Sequence, residues 1–416
     1  MYLLSRTLLA RRHLAHHIYY LCFVQEPETH LLDSSLLSEL FVEAGEAIIE
    51  DFMDKCNKND DDWIPMHDRQ WSQYPDDFHP DEIPGGGDML PTLLFILSQN
   101  LRFLELRGNF SGSGYLYARL WDLSQLQRLQ GPADKYTHYT LQEVVLSVPI
   151  ADQRITQHLH RMRAFVQIPS LRCITCINID LDELFLHDFA NEATLPTNIE
   201  EIYMENVGVH GGAVLAHLTQ SLPKLKVLDM SIRGSRLSDL DPDMNSLLEA
   251  LTHLQPSLEN FSLQDLSNRA KPENRQEHVL PSFSAFLNMT SLTIPAWILD
   301  FLFQHPKDAT IPPHVFNFSI LPPNLEDLTL CDVDGTALAL LRVLAEPDLT
   351  MVLGKLESVH IEFSEDVWRD FRQLERGCKE FIQVFGEMGV LLSIDAREPE
   401  RKATEMEGER IIVTYR

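Results

Sequence analysis

A short pattern of the form L-x-x-L-x-L recurs along this chain, and nothing else in the sequence limits the fold as tightly. The stretch "PPNLEDLTLCDVDG", residues 322–335, shows it clearly. Leu325, Leu328 and Leu330 follow a proline pair and precede the apolar run "TALALLRVLA". The first apolar positions of successive matches are Ile18, Leu101, Leu141, Leu171, Ile199, Leu225, Leu258, Met289, Leu325, Leu356 and Leu391. From Leu101 onward the steps run from 26 to 40 residues, with a mean of about 32. Self-similarity sustained at such a period is the signature of a repeat architecture.

The punctuation between matches agrees. Pro169, Pro223, Pro256 and Pro323 each stand two residues before the first apolar position of a repeat. Proline cannot continue a helix, so it separates a preceding helix from the strand that follows. Helical patterns fill the gaps. "MNSLLEALTHL" sets Met244, Leu247, Leu248, Leu251 and Leu254 on one face, with Asp243 placed to cap it. "VWRDFRQLERGCKEFIQVF" does the same with Val367, Phe371, Leu374, Cys378, Phe381 and Phe385. Each unit is therefore a strand, a turn and a helix that cannot bury its apolar side alone. Stacking the units gives an α/β solenoid. Motif positions 4 and 6 face the core, and positions 3, 5 and 7 face out, by the two-residue period of a strand.

This pattern resembles the leucine-rich repeat family over residues 100–398, with a first fragment at 1–24. The resemblance implies a horseshoe with a concave parallel β-sheet and helices on the convex side. Two departures stand out. The repeats exceed the family's usual length of about 20–29 residues. The asparagine expected at the ninth position appears only at Asn109, while Val207, Arg233, Leu266, Val333 and Ser364 take that place elsewhere. The opening "LLSRTLLARRHLAHHIYYLCF" and the long, uneven repeats are similar to the substrate-binding part of fungal F-box proteins. That resemblance implies recognition of substrates for ubiquitin transfer. The F-box segment itself is not present in the chain, which enters its repeats within the first 20 residues. A chain that opens inside a repeat looks like part of something longer.

Residues 25–99 interrupt the array. "SSLLSELFVEAGEAIIEDFMDKC" reads as a helix with Leu37, Leu40, Phe41, Ala44 and Ile48 along one face. The stretch 57–88 that follows reads as an exposed acidic loop; from Asp51 to Asp88 there are 11 acidic and 3 basic residues. Trp63, Trp71, Tyr74 and Phe78 interleave with those acids, either to dock a basic partner or to cover the first repeats. Residues 399–416 form a capping tail, with "ERIIVTYR" able to return as an antiparallel strand on the last repeat.

Charge and composition narrow the function. The formal net charge is −28, which opposes binding to phosphate backbones and anionic membranes and permits a basic protein partner. No window approaches the roughly 18–20 apolar residues of a membrane span. The six cysteines are irregularly placed and do not form a disulfide framework. A cytoplasmic or nuclear protein is the expectation. The acid-free N-terminus with Arg6, Arg11 and Arg12 also has the composition of a mitochondrial presequence. A helix followed by the strand "IYYLCF" fits the repeat better. Asn-x-Ser/Thr triplets at Asn109, Asn288 and Asn317 read as silent.

No motif for chemistry in the sequence is complete, and no metal or cofactor is expected. Cys173 and Cys176 have C-x-x-C spacing, but residues three apart on a strand face opposite sides. The histidines at 13–17 and 158–160 lack the spacing of a zinc site. "DLDPDMN", residues 239–245, lacks the glycine and the glutamate of a calcium loop. The glycines of "RGNFSGSGYLYARL" match no phosphate-binding fingerprint. The sequence thus reads as a non-catalytic protein-protein interaction scaffold. The alternative is an enzyme or GTPase-activating protein that uses the repeat face as its site. The candidate partner-binding residues on the concave face are Phe103, Glu105, Glu201, Tyr203, Glu205, Asp229, Asp327, His360 and Glu362.

Overall fold

Seven of the repeats enter their strands through the same tight turn among the described residues. The amide of the first motif residue bonds the carbonyl three residues earlier: Ile18 to Ala15, Leu101 to Ser98, Leu171 to Ile168, Leu225 to Leu222, Met289 to Phe286, Leu325 to Pro322 and Leu356 to Leu353. Ala15, Ser98, Ile168, Leu222, Phe286 and Leu353 are all buried. The repeating unit is therefore longer than L-x-x-L-x-L, with a further inward position at its front.

The computed structural model describes residues 7–8, 10–24, 94, 98, 100–107, 140–147, 168, 170–181, 198–209, 219–220, 222–232, 251–265, 282–296, 320–333, 345, 353–363, 381–396 and 412–413. Several expectations lie outside these residues. They are the helix over 37–48, the acidic loop 57–88, the glycine-rich turn beyond Arg107, the acidic run 239–245, Asn109, Asn317 and His158–His160.

The chain divides into two compact units, Met1–Ile179 and Asp180–Arg416. The first holds a short helix, α1 (Arg12–Ala15), and four strands: β1 (Tyr20–Val24), β2 (Phe103–Arg107), β3 (Glu143–Ser147) and β4 (Cys173–Ile177). Each strand pairs in parallel with the next, in the register Tyr20, Phe103, Glu143, Cys173. The second unit begins with β5 (Asp180–Leu181), which pairs with the end of β6 (Glu201–Val209). A parallel series follows: β6, β7 (Val227–Ile232), β8 (Asn260–Asp265), β9 (Ser291–Pro295), β10 (Asp327–Val333), β11 (Ser358–Phe363) and β12 (Leu391–Ala396). The tail returns as β13 (Ile412–Val413), antiparallel to β12. Both units are thus α/β arrangements with one parallel strand per repeat.

Backbone hydrogen bonds set the register. The carbonyl of the second motif residue accepts two amides from the next repeat. Tyr19 accepts Arg102 and Phe103 at 2.9 and 3.1 Å; Glu200 accepts Lys226 and Val227 at 2.7 and 3.0 Å. The same fork joins Lys226 to Glu259 and Asn260, and Thr290 to Glu326 and Asp327. Both lone pairs of each carbonyl are used. A polar side chain just ahead of the motif adds a second rung. Asn100 donates to the His16 carbonyl, Thr140 to Leu101, Ser170 to Leu141, Asn288 to Pro256 and Asn324 to Leu287, all at 2.7–2.8 Å.

Inward positions fill the core as the alternation requires. Leu101, Leu104, Leu141, Val144, Leu171 and Ile174 are fully buried in the first unit, and Ile202, Leu228, Met289, Leu292, Leu325 and Leu328 in the second. Between β8 and β9, Phe283 packs its ring 6.2 Å from that of Phe261. The last repeat departs from the expected phase. Ser358 pairs with Leu391 and Val359 with Leu392, so Leu391 is a third motif residue rather than a first. It is 46% exposed. A shift of two residues leaves the strand alternation unchanged, which is why the sequence pattern hides it. The first position belongs to Gly389, at φ +77°, where a helical segment over 381–387 stops. The amides of Gly389 and Val390 bond the carbonyls of Gly386 and Phe385, and Phe385 and Val390 are buried together. This is a Schellman stop, with glycine in the left-handed conformation it favours.

At three strand ends the backbone turns at the eighth motif position. Asn178, Asn206 and Asp332, at the eighth position, have φ of 58°, 53° and 54°. Asn and Asp enter this left-handed region more readily than other non-glycine residues. At Asn206 and Asp332 the extra residue shifts the register against the next strand, a β-bulge. The turn re-aims the following residue inward, so Ile179, Val207 and Val333 are buried at 3%, 0% and 1% exposure.

Substitutions at three positions separate these contributions in urea denaturation. Leu328→Ala, in the core, is expected to cost about 2–5 kcal/mol. Asn324→Ala, on a side-chain rung, costs about 0.5–1.5 kcal/mol. Asn206→Val costs about 1–2 kcal/mol, because a β-branched residue resists positive φ, and Asn206→Gly costs less.

Candidate functional site

Outward motif positions in parallel register form rows across each unit. In the first unit the rows are Tyr20–Phe103–Glu143–Cys173, Cys22–Glu105–Val145–Thr175 and Val24–Arg107–Ser147–Ile177. Tyr20 stacks on Phe103 with ring centroids 4.6 Å apart and planes 13° apart. Its hydroxyl donates to Oε2 of Glu105 at 2.6 Å, and Arg107 Nε donates to Oε1 at 2.5 Å. Glu105 was expected to present its carboxylate to solvent. It holds its place on the outward face but is only 5% exposed, because Tyr20 and Arg107 close over it. Its charge is spent inside the face.

The pKa values record this. Burial pushes the Glu105 carboxyl up, but hydrogen bonds from Tyr20, Arg107 and Cys22 and the Arg107 charge outweigh it, leaving a value below the ordinary one. The Tyr20 phenol is pushed up to about 12, first by its bond to Glu105 and then by burial and the carboxylate charge. Burial, helped by Glu105, raises the Cys22 thiol.

The second unit is different in character. Its rows include Glu201–Val227–Asn260–Ser291–Asp327–Ser358–Leu391 and Tyr203–Asp229–Ser262–Thr293–Thr329–His360–Ser393. The third row carries Glu205, Ser231 and Gln264 toward one end, and Glu362 beside Asp395 toward the other. Six carboxylates therefore lie at outward positions, and no Lys or Arg stands at a described outward position of this unit. Glu205 and Asp327 are exposed; Glu201, Tyr203, Asp229 and His360 are half-buried. The Tyr203 hydroxyl donates to Glu201 at 3.1 Å. Ser358 donates to Asp327, and His360 Nδ1 shares a 2.7 Å bond with Ser393 Oγ.

Glu362 is a second departure from the expected exposure. It is 8% exposed beside its register partner Asp395, also 8% exposed. Two more outward positions turn inward: Pro295 and Cys331 are buried, and Cys331 Sγ reaches the Leu263 carbonyl at 3.6 Å. Sequence reasoning missed Asp395, Tyr20 and Arg107. Each occupies a third or seventh motif position, so the alternation that selected Phe103 also pointed to them.

Among the described residues no group of His, Cys, Asp and Glu has metal-binding geometry. No described helix is long and apolar enough to cross a membrane. Cys173 is half-buried on the outward face, and Cys176 is fully buried, its thiol pushed up to about 12 by burial. Compared with protein-family models, curated proteins and solved structures, the chain has no match in any of the three.

Two measurements test this geometry. Alkylation of the native protein is expected to modify Cys22 and Cys173 and to spare Cys176 and Cys331 in peptide mapping; a Cys173–Cys176 disulfide would contradict the opposed faces. In an ultraviolet titration, Tyr20 ionises near pH 12 and, in Glu105→Gln, nearer the ordinary tyrosine value. The sign follows from linkage: the folded pKa is raised, so the Tyr20 contribution to stability is full below about pH 10 and is lost as pH climbs toward 12.

Proposed function

We propose that this protein is a non-catalytic interaction scaffold of the leucine-rich repeat type, whose second unit receives a basic protein segment on its outward sheet face. The observation that carries the reading is the one-sided charge of that face: Glu201, Glu205, Asp229 and Asp327 are exposed or half-buried on β6, β7 and β10, with no described outward Lys or Arg. Such a field attracts a cationic partner and repels acidic ones. The centre of the docking surface is the β6–β7 end, where Glu201, Glu205 and Asp229 surround the half-exposed Tyr203. Tyrosine flanked by carboxylates suits arginine, which can pair with the acid and stack on the ring. Glu105, closed over by Tyr20 and Arg107, takes no part. In this reading the two units belong to a horseshoe with a concave sheet and helices on its convex side.

The narrower reading is the substrate-recognition part of an F-box-type ubiquitin-ligase receptor. It is supported by the similarity of the N-terminal helix-and-strand opening and the long repeats to fungal members of that class, an argument from analogy.

The full chain, titrated with fluorescent Arg-rich and Glu-rich peptides of equal length, tests the scaffold reading. The expectation is binding of the Arg-rich peptide alone, weakened by salt. Glu201→Lys with Glu205→Lys should reduce affinity about tenfold or more, equivalent to roughly 1.4 kcal/mol, with an unchanged melting curve. Equal affinity in the double variant would remove β6 from the site.

A further inference from the structure

We draw no further inference here: the strongest candidate, the outer edge of β1 with exposed Tyr19, Tyr20 and Val24, is an apolar patch for which nothing in the structure shows what covers it.

Discussion

One carbonyl per repeat governs the architecture. At the second motif position it accepts two amides from the next repeat, and this fork recurs from Tyr19 to Gln142 in the first unit and from Glu200 to Glu326 in the second. Two converging bonds define both the spacing and the register of the incoming strand. Because side chains alternate with a period of two, register decides which residues are core and which are surface. Had the strand entered one residue out of phase, Leu228 and Met230 would face solvent and Asp229 would be buried without compensation. The fork therefore protects the core and exposes the candidate docking residues in one step.

Around this constant, the chain varies the means by which each strand begins and ends. Asn, Thr and Ser side chains ahead of the motif donate to backbone carbonyls of the preceding repeat, and a glycine stop replaces them before β12. At the strand ends, Asn178, Asn206 and Asp332 turn the backbone through positive φ and return an apolar residue to the core. The side-chain rungs and the glycine stop satisfy polar backbone groups where regular pairing stops, since leaving such groups buried and unpaired is costly. The unequal repeat lengths are tolerated because only the short strand segment must match its neighbour.

The two units use the same outward positions for different chemistry. In the first, aromatic stacking and a Tyr–Glu–Arg network hold the Glu105 charge locally. In the second, carboxylates share the face with hydroxyls and amides, and no Lys or Arg stands at a described outward position. A carboxylate already held by a tyrosine and an arginine has little left to offer a partner, whereas Glu205 and Asp327 remain exposed. This contrast is the reason for proposing the docking surface on the second unit.

The repeating strand, its parallel stacking and its inward residues were legible in the linear pattern, because burial of every second apolar side chain is a local rule that each repeat states anew. The same rule identified the outward candidates and the opposed faces of Cys173 and Cys176. Tertiary structure alone decided how much of each candidate remains available. Glu105 and Glu362 obey the alternation and are nevertheless covered, because exposure depends on which side chains adjacent strands bring alongside, and strands adjacent in the sheet are distant in sequence. It also decided the phase of the last repeat, where a glycine stop placed Leu391 on the surface; a two-residue shift preserves the alternation, so only pairing with β11 could distinguish the two.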